Sequence, residues 1–141
     1  MDDSPIALEG ALSVDKMTRI TDIPDGISTT ILLAEIAGRP QLWRAGKSTG
    51  QLVAVNSTGF GGWGDGSSIA YLFGSSPDGT TSPGSCAINC SNAFGLYSFH
   101  RGGINTVFVD ASVHFIRQDV NMHSVVVALI TRNGKEVISD Y

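Results

Sequence analysis

The stretch YSFHRGGINTVFVDASVHFI, Tyr97 to Ile116, decides the reading of this chain. It holds two apolar, β-branched runs, Thr106–Val109 and Ser112–Ile116, hinged at Asp110-Ala111. Short runs of this composition around a two- or three-residue turn predict a β-hairpin. Pairing across a two-residue loop would set Phe108 opposite Val113 and Thr106 opposite Phe115 on one face. Val107, Val109, Ser112, His114 and Ile116 would take the other. Both faces are largely apolar, so the hairpin is expected inside the fold with a helix covering one side. The end of the chain offers that helix. Met122, Val125, Val126, Leu129 and Ile130 recur at helical spacing, with Asn121 as N-cap and Asn133-Gly134 as the stop.

The same stretch resembles a bacterial family of pilin-like proteins. Their C-terminal signature runs F-H-x-G-G-x-N-x-x-F-x-D-G-S-V, and FHRGGINTVFVDASV matches it with Ala111 in place of the glycine. The resembling positions are His100, Gly102, Gly103, Asn105 and Asp110, with nine residues between the histidine and the aspartate. DGISTTILLAE (Asp25–Glu35), GRPQLW (Gly38–Trp43), CAINCSN (Cys86–Asn92) and LITRNGKE (Leu129–Glu136) fit the family too, so the resemblance covers about Arg19 to Ser139. It implies an α+β, pilin- or pseudopilin-like antiparallel sheet with a C-terminal helix packed on it. It also implies a prepilin-type N-terminal anchor helix, which this segment lacks; a trimmed soluble part is expected, with a naturally soluble relative as the alternative. Members are mostly domains of unknown biochemical function. The implied setting is the cell envelope, on the periplasmic or extracellular face, with other pilin-like or envelope proteins as partners.

Length and composition agree with one domain over residues 1–141. A hydrophobic fraction of 42% with 16% charged residues describes a chain that folds around a core. Twelve of the 17 glycines fall between Gly50 and Gly103 and predict a middle rich in tight turns. With net charge −4 and its nine Lys and Arg scattered, the chain shows no footprint for nucleic acid or for an anionic membrane surface. No apolar run approaches the ~18 residues of a membrane span, and MDDSPIALEG has none of the zones of a secretion signal.

Cys86 and Cys90 are too far apart for a Cys-x-x-Cys redox motif, and no second Cys/His pair completes a metal site. A local disulfide that shapes a loop is favoured in an exported chain, contributing ~2 kcal/mol at most by loop entropy.

Further elements are expected in order. Ile6–Val14 suggests a short helix, and Arg19–Ile23 a strand entering the Pro24-Asp25-Gly26 turn. Thr29–Ala37 reads as a central strand that Pro40–Trp43 leaves. Gln51–Val55, Ile69–Phe73 and Glu136–Ser139 read as short strands, the last at an edge, and Ser75–Gly84 as a loop with a Pro-Asp-Gly turn. Glu35 is out of place in an apolar strand and needs a partner: Arg39, Arg44 or backbone donors.

Several constellations invite chemistry. Ser98, His100 and Asp110 are the residue types of a hydrolytic relay, but residues two apart on a strand lie ~6.5–7 Å apart and Asp110 belongs to the far turn. A structural role for His100 and Asp110 is more economical: His100 bonding a carbonyl or Asp110, and Asp110 accepting turn amides. Ala111 would cost about 1 kcal/mol if the turn needs positive φ. Pilin-like relatives can hold calcium, for which Asp65, Asp78, Asn89, Asn92, Asn105 and Asp110 supply oxygens, yet no Asp-x-Asp-x-Asp series exists and no metal or other cofactor is expected. His114 is read as a partnered core histidine. GFGGWGDGSS (Gly59–Ser68) is no phosphate loop, since no Lys-Ser/Thr follows. It is expected to pack Trp63 on the body or to form an aromatic ligand platform with Tyr71 and Phe73. The functional expectation is therefore a non-catalytic, exported domain of cell-surface assembly, secretion or protein interaction. The alternative is an extracellular ligand- or glycan-binding module built on that aromatic loop.

Overall fold

The computed structural model describes residues 9–13, 15–53 and 72–138. Within them the protein is a small α+β fold: a three-stranded antiparallel sheet, a separate two-stranded hairpin and a short C-terminal helix. Strands β1 (Ile31–Ala34), β4 (Gly103–Phe108) and β5 (Val113–Arg117) form the sheet in the order β1-β4-β5. Strands β2 (Gln41–Arg44) and β3 (Lys47–Leu52) form the hairpin.

The hairpin of the deciding stretch is present, in a register one residue away from expectation. Val107 lies opposite Val113, Thr106 opposite His114 and Ile104 opposite Ile116. The reason is the loop. Phe108 N–H donates to the Ser112 carbonyl and Ala111 N–H to the Phe108 carbonyl, so three residues, Val109 to Ala111, make the turn. Ala111 takes the left-handed conformation, φ 68°, that lets a three-residue loop rejoin the strands. The slip re-sorts the faces. Ile104, Thr106 and Phe108 are buried, and His114 and Ile116 lie across from Thr106 and Ile104 on this inner face. Val113 and Phe115 face outward, exposed at 65% and 44%.

The inner face meets the end of the chain. Ile104, Phe108 and Ile116 pack with Ile31, Ile88, Leu96, Met122, Val125, Val126 and Leu129 in one core cluster. The helix begins where expected: Asn121 Oδ1 accepts from the His123 and Ser124 amides at 2.9 and 3.0 Å. Its first part, Met122–Val127, is a π-helix, the Asn121 carbonyl accepting from both Val125 and Val126, and only Ala128–Ile130 is α-helical. It stops at Thr131, whose backbone is extended and whose hydroxyl donates to the Ala128 carbonyl, not at Asn133-Gly134.

Other expectations need correction. Thr29–Ala37 is a strand only over Ile31–Ala34, and β1 is an edge strand; β4 is the central one. Arg19–Ile23 is a 3₁₀ turn over Ile20–Asp22, because Asp22 bonds back to the Arg19 amide. Pro40–Trp43 does not merely leave a strand: Gln41–Arg44 is β2, and its partner runs Lys47–Leu52 instead of Gln51–Val55. Glu136–Ile138 is irregular, not an edge strand. Glu9–Ser13 is not helical, and the rest of Ile6–Val14 lies outside the described residues, as do Gly59–Ser68 and Ile69–Tyr71. The Pro77-Asp78-Gly79 turn is as expected, Gly79 N–H donating to the Ser76 carbonyl. No helix among the described residues is long and apolar enough to cross a membrane.

Candidate functional site

A cleft of about 510 Å³ opens where the disulfide loop meets the first half of the signature stretch. Its floor is Ile88 and Tyr97, both buried; its rim carries Phe99, His100, Arg101, Gln118, Asn89 and Pro77. Local chemistry builds each wall.

Tyr97 is the post. Its amide donates to the Glu35 carbonyl, its carbonyl accepts from Ala37, and its hydroxyl accepts from Gly46 N–H at 3.0 Å. The β2–β3 turn, Ala45-Gly46, is thereby held to the cleft, and Ala45 N–H donates to the Cys90 carbonyl. Both turn residues have positive φ, 45° and 80°, the geometry of a type I′ hairpin.

The disulfide is formed, Cys86 to Cys90 with Cα atoms 6.2 Å apart. Within its loop Asn89 accepts from Ser98 N–H and donates to the Gly103 carbonyl and to Gln118 Oε1. Ser98 in turn donates its hydroxyl to the Gly103 carbonyl at 2.6 Å and accepts from His100 N–H. These bonds close residues 98–103 into a tight turn. The two signature glycines serve it for different reasons. Gly102 has φ 87° with open space around it, so backbone conformation selects glycine. At Gly103 a Cβ would meet the Ile116 carbonyl at 2.1 Å, so close approach of β5 selects it.

His100 and Asp110 do not meet. They sit at opposite ends of β4, and His100 Nε2 instead lies 3.3 Å from Glu35 Oε1. The other Glu35 oxygen accepts from Asn105 N–H at 2.8 Å, where the β1–β4 ladder ends. Of the partners considered for Glu35, the structure selects a backbone donor and adds the histidine.

Asp110 caps its own turn, accepting from Ser112 N–H at 2.9 Å and Ser112 Oγ at 2.6 Å. Those two bonds, the hydroxyl's first, hold its carboxyl below the ordinary aspartate range. Ser112 Oγ also lies 2.9 Å from His114 Nε2, and the His114 ring packs edge-on to Phe108 at 4.6 Å. This Asp-Ser-His chain runs in the wrong order for a nucleophile. With the hydroxyl proton committed to Asp110, the imidazole is a donor to serine and not its base. Ser98, the serine of the relay read from the sequence, spends its hydroxyl on the Gly103 carbonyl.

The oxygens considered for calcium are dispersed and occupied. Asp78 accepts from Ser76 and Thr80, which lowers its carboxyl, the Ser76 hydroxyl foremost. Asn92 is fully buried; it accepts from Trp43 N–H and donates to the Ala37 and Gln41 carbonyls. Its carbonyl takes the Arg39 Nε–H, an arginine whose pKa burial lowers. Asn89 is used as described, Asn105 lies in β4, and Asp65 is outside the described residues. Among the described residues no three His, Cys, Asp or Glu gather as a metal site would require. Of the aromatic platform, Trp63 and Tyr71 lie outside the described residues; Phe73 is 55% exposed and its amide donates to Phe94.

Over residues 2–123 the sequence matches the family model described as a protein of unknown function, DUF1559. The chain belongs to the DUF1559 family. The match takes in the disulfide loop, the signature turn and both hairpins of this DUF1559 chain. No curated protein and no solved structure matches it.

Sequence reasoning passed over Phe99, Arg101, Tyr97 and Gln118 as site residues. Their one signal was position: they flank His100 and follow β5, next to the residues of the signature.

Proposed function

We propose that this DUF1559 domain works outside the cytoplasm as a non-catalytic, pilin-like module of cell-surface assembly, secretion or protein interaction. The observation that carries the reading is the open face of the three-stranded sheet. Leu33, Val107 and Val113 stand in register across β1, β4 and β5, and Phe115 follows on β5. Leu33 is 56% exposed, alongside the exposed Val113 and Phe115. An apolar row across every strand of a sheet is a surface suited to a protein partner, here another pilin-like or envelope protein. The Cys86–Cys90 disulfide supports an oxidising compartment. In this reading an N-terminal anchor helix in the full-length product would tether the domain to the envelope.

The test uses the full-length product in its own cells. Mass spectrometry of the mature N-terminus is expected to find a cleaved, N-methylated start in the envelope fraction. A photo-crosslinker at position 113 is expected to capture an envelope protein or a second copy, and capture should vanish with Leu33→Asp. A cytosolic product with reduced cysteines and no capture would refute the proposal.

A further inference from the structure

We propose that the cleft between the disulfide loop and the Phe99–Gly102 turn binds an acidic saccharide. Arg101 would pair with its carboxylate, Phe99 would carry its C–H face, and the Gln118 amide would donate to a ring or hydroxyl oxygen. This inference is independent of the sheet-face reading and uses none of its residues.

Charge comes first. The chain carries a net charge of −4, yet among the described residues no carboxylate lines this cleft. Arg101 does line it, exposed, and its guanidinium has no hydrogen-bond or ion-pair partner among the described residues. A planar fork of donors left unpaired at the mouth of a cleft is suited to a carboxylate.

Aromatic presentation comes second. Phe99 is 61% exposed although it is a large apolar side chain, and it is held rather than loose. Its ring stands edge-on to Trp43 at 4.8 Å and to Tyr97 at 6.0 Å. Gly38 makes room for this arrangement: a Cβ there would lie 2.6 Å from the Trp43 ring and 3.1 Å from Phe99. A ring held by two aromatic neighbours and still largely exposed suits the C–H face of a sugar. It also spares the entropy of ordering a mobile side chain on binding.

Polar directionality comes third. Gln118 Oε1 accepts from Asn89, which orients the amide and leaves its nitrogen to donate. About 510 Å³ lies within the range of small-ligand sites and accommodates one or two sugar rings.

Competing ligands fit less well. A phosphate-rich ligand calls for clustered cations or a helix N-terminus, whereas among the described residues Arg101 is the only Lys or Arg in the lining. An extended peptide needs a free strand edge, and the rim is made of turns and the disulfide loop.

Calorimetric titration of the protein with digalacturonate and with sialyllactose tests this, each against its carboxylate methyl ester. The expectation is saturable binding to at least one acid, weakened tenfold or more by esterification, by Arg101→Gln and by raised salt. Because Arg101 is exposed and unpaired, Arg101→Gln should leave the thermal melt unchanged, so lost binding cannot be ascribed to misfolding. Absence of saturation with both acids would overturn the proposal. So would equal affinity for an ester, an unaffected Arg101→Gln variant, or stronger binding of an acidic dipeptide. Crosslinking at position 113 is expected to be unaffected by Arg101→Gln, so either reading can fail while the other stands.

Discussion

The two hairpins of this DUF1559 chain turn on the same irregular feature and are held in opposite ways. Each places an alanine in the left-handed region, Ala45 in the β2–β3 turn and Ala111 in the β4–β5 turn. The β4–β5 hairpin is held chiefly by the core it fills, with its Val109 and Asp110 amides also donating to the Thr30 and Ile27 carbonyls. Its inner residues Ile104, Phe108 and Ile116 are essentially inaccessible, and Asp110 closes its turn from within. The β2–β3 hairpin cannot be held so, because β3 is exposed at five of its six positions and buries no apolar residue. Asn92, Tyr97 and the disulfide loop hold it from outside, through bonds to the backbone of Trp43, Gln41, Gly46 and Ala45. Apolar alternation suffices for a hairpin with a core to fill, whereas a polar hairpin needs fixed hydrogen-bond partners.

The largest expected effect separates the two directly. Asn92→Ala strands the Trp43 amide and the Ala37 and Gln41 carbonyls, and should cost about 4 kcal/mol in urea denaturation. In hydrogen exchange the β2–β3 amides should lose protection before those of β4–β5. Uniform loss across both hairpins would break the distinction.

Replacing both cysteines, Cys86→Ser with Cys90→Ser, should cost about 2 kcal/mol, as expected for so short a ring. Exchange at the Ala45 amide, which donates to Cys90, should quicken while that at Val107 does not.

Ala111→Gly should stabilise by about 1 kcal/mol, since glycine adopts the left-handed turn without the Cβ clash. Ala45→Gly should match it, read as the shift in urea midpoint. Unequal gains would show that the bonds from the disulfide loop and Tyr97 alter the strain at Ala45.

The smallest effect concerns acid. Asp110 titrates below its unfolded value, so its contribution is complete above about pH 4 and is lost as pH falls through the folded value. Asp110→Asn should therefore show a smaller drop in melting temperature between neutral and acidic pH. Glu9, Asp78 and Asp119, lowered likewise, keep the rest of the fold acid-sensitive.

Much of this was legible from sequence, and the limits have physical causes. The hairpin of Tyr97–Ile116 was visible because β-branched runs flank a turn pair, but its register was not. Register depends on whether Ala111 lengthens the loop by adopting positive φ, a choice that composition does not announce. The Asn121 cap and the Met122–Leu129 stripe were visible as a local periodicity; the π-helical start was not, since both helix types bury the same stripe. The cleft was invisible, because its described lining comes from five separate segments.

The sequence by itself determined the α+β class, the signature hairpin, the N-cap of the last helix and the pairing of Cys86 with Cys90. Each of these rests on turn chemistry, periodicity or ring closure among residues close along the chain. Only the tertiary structure decided that Glu35, and not Asp110, stands beside His100, and that Asn92 holds β2. Glu35 reaches Asn105 across 70 positions and Asn92 reaches Trp43 across 49. Such contacts form only when the core brings distant segments together, and no local preference encodes them.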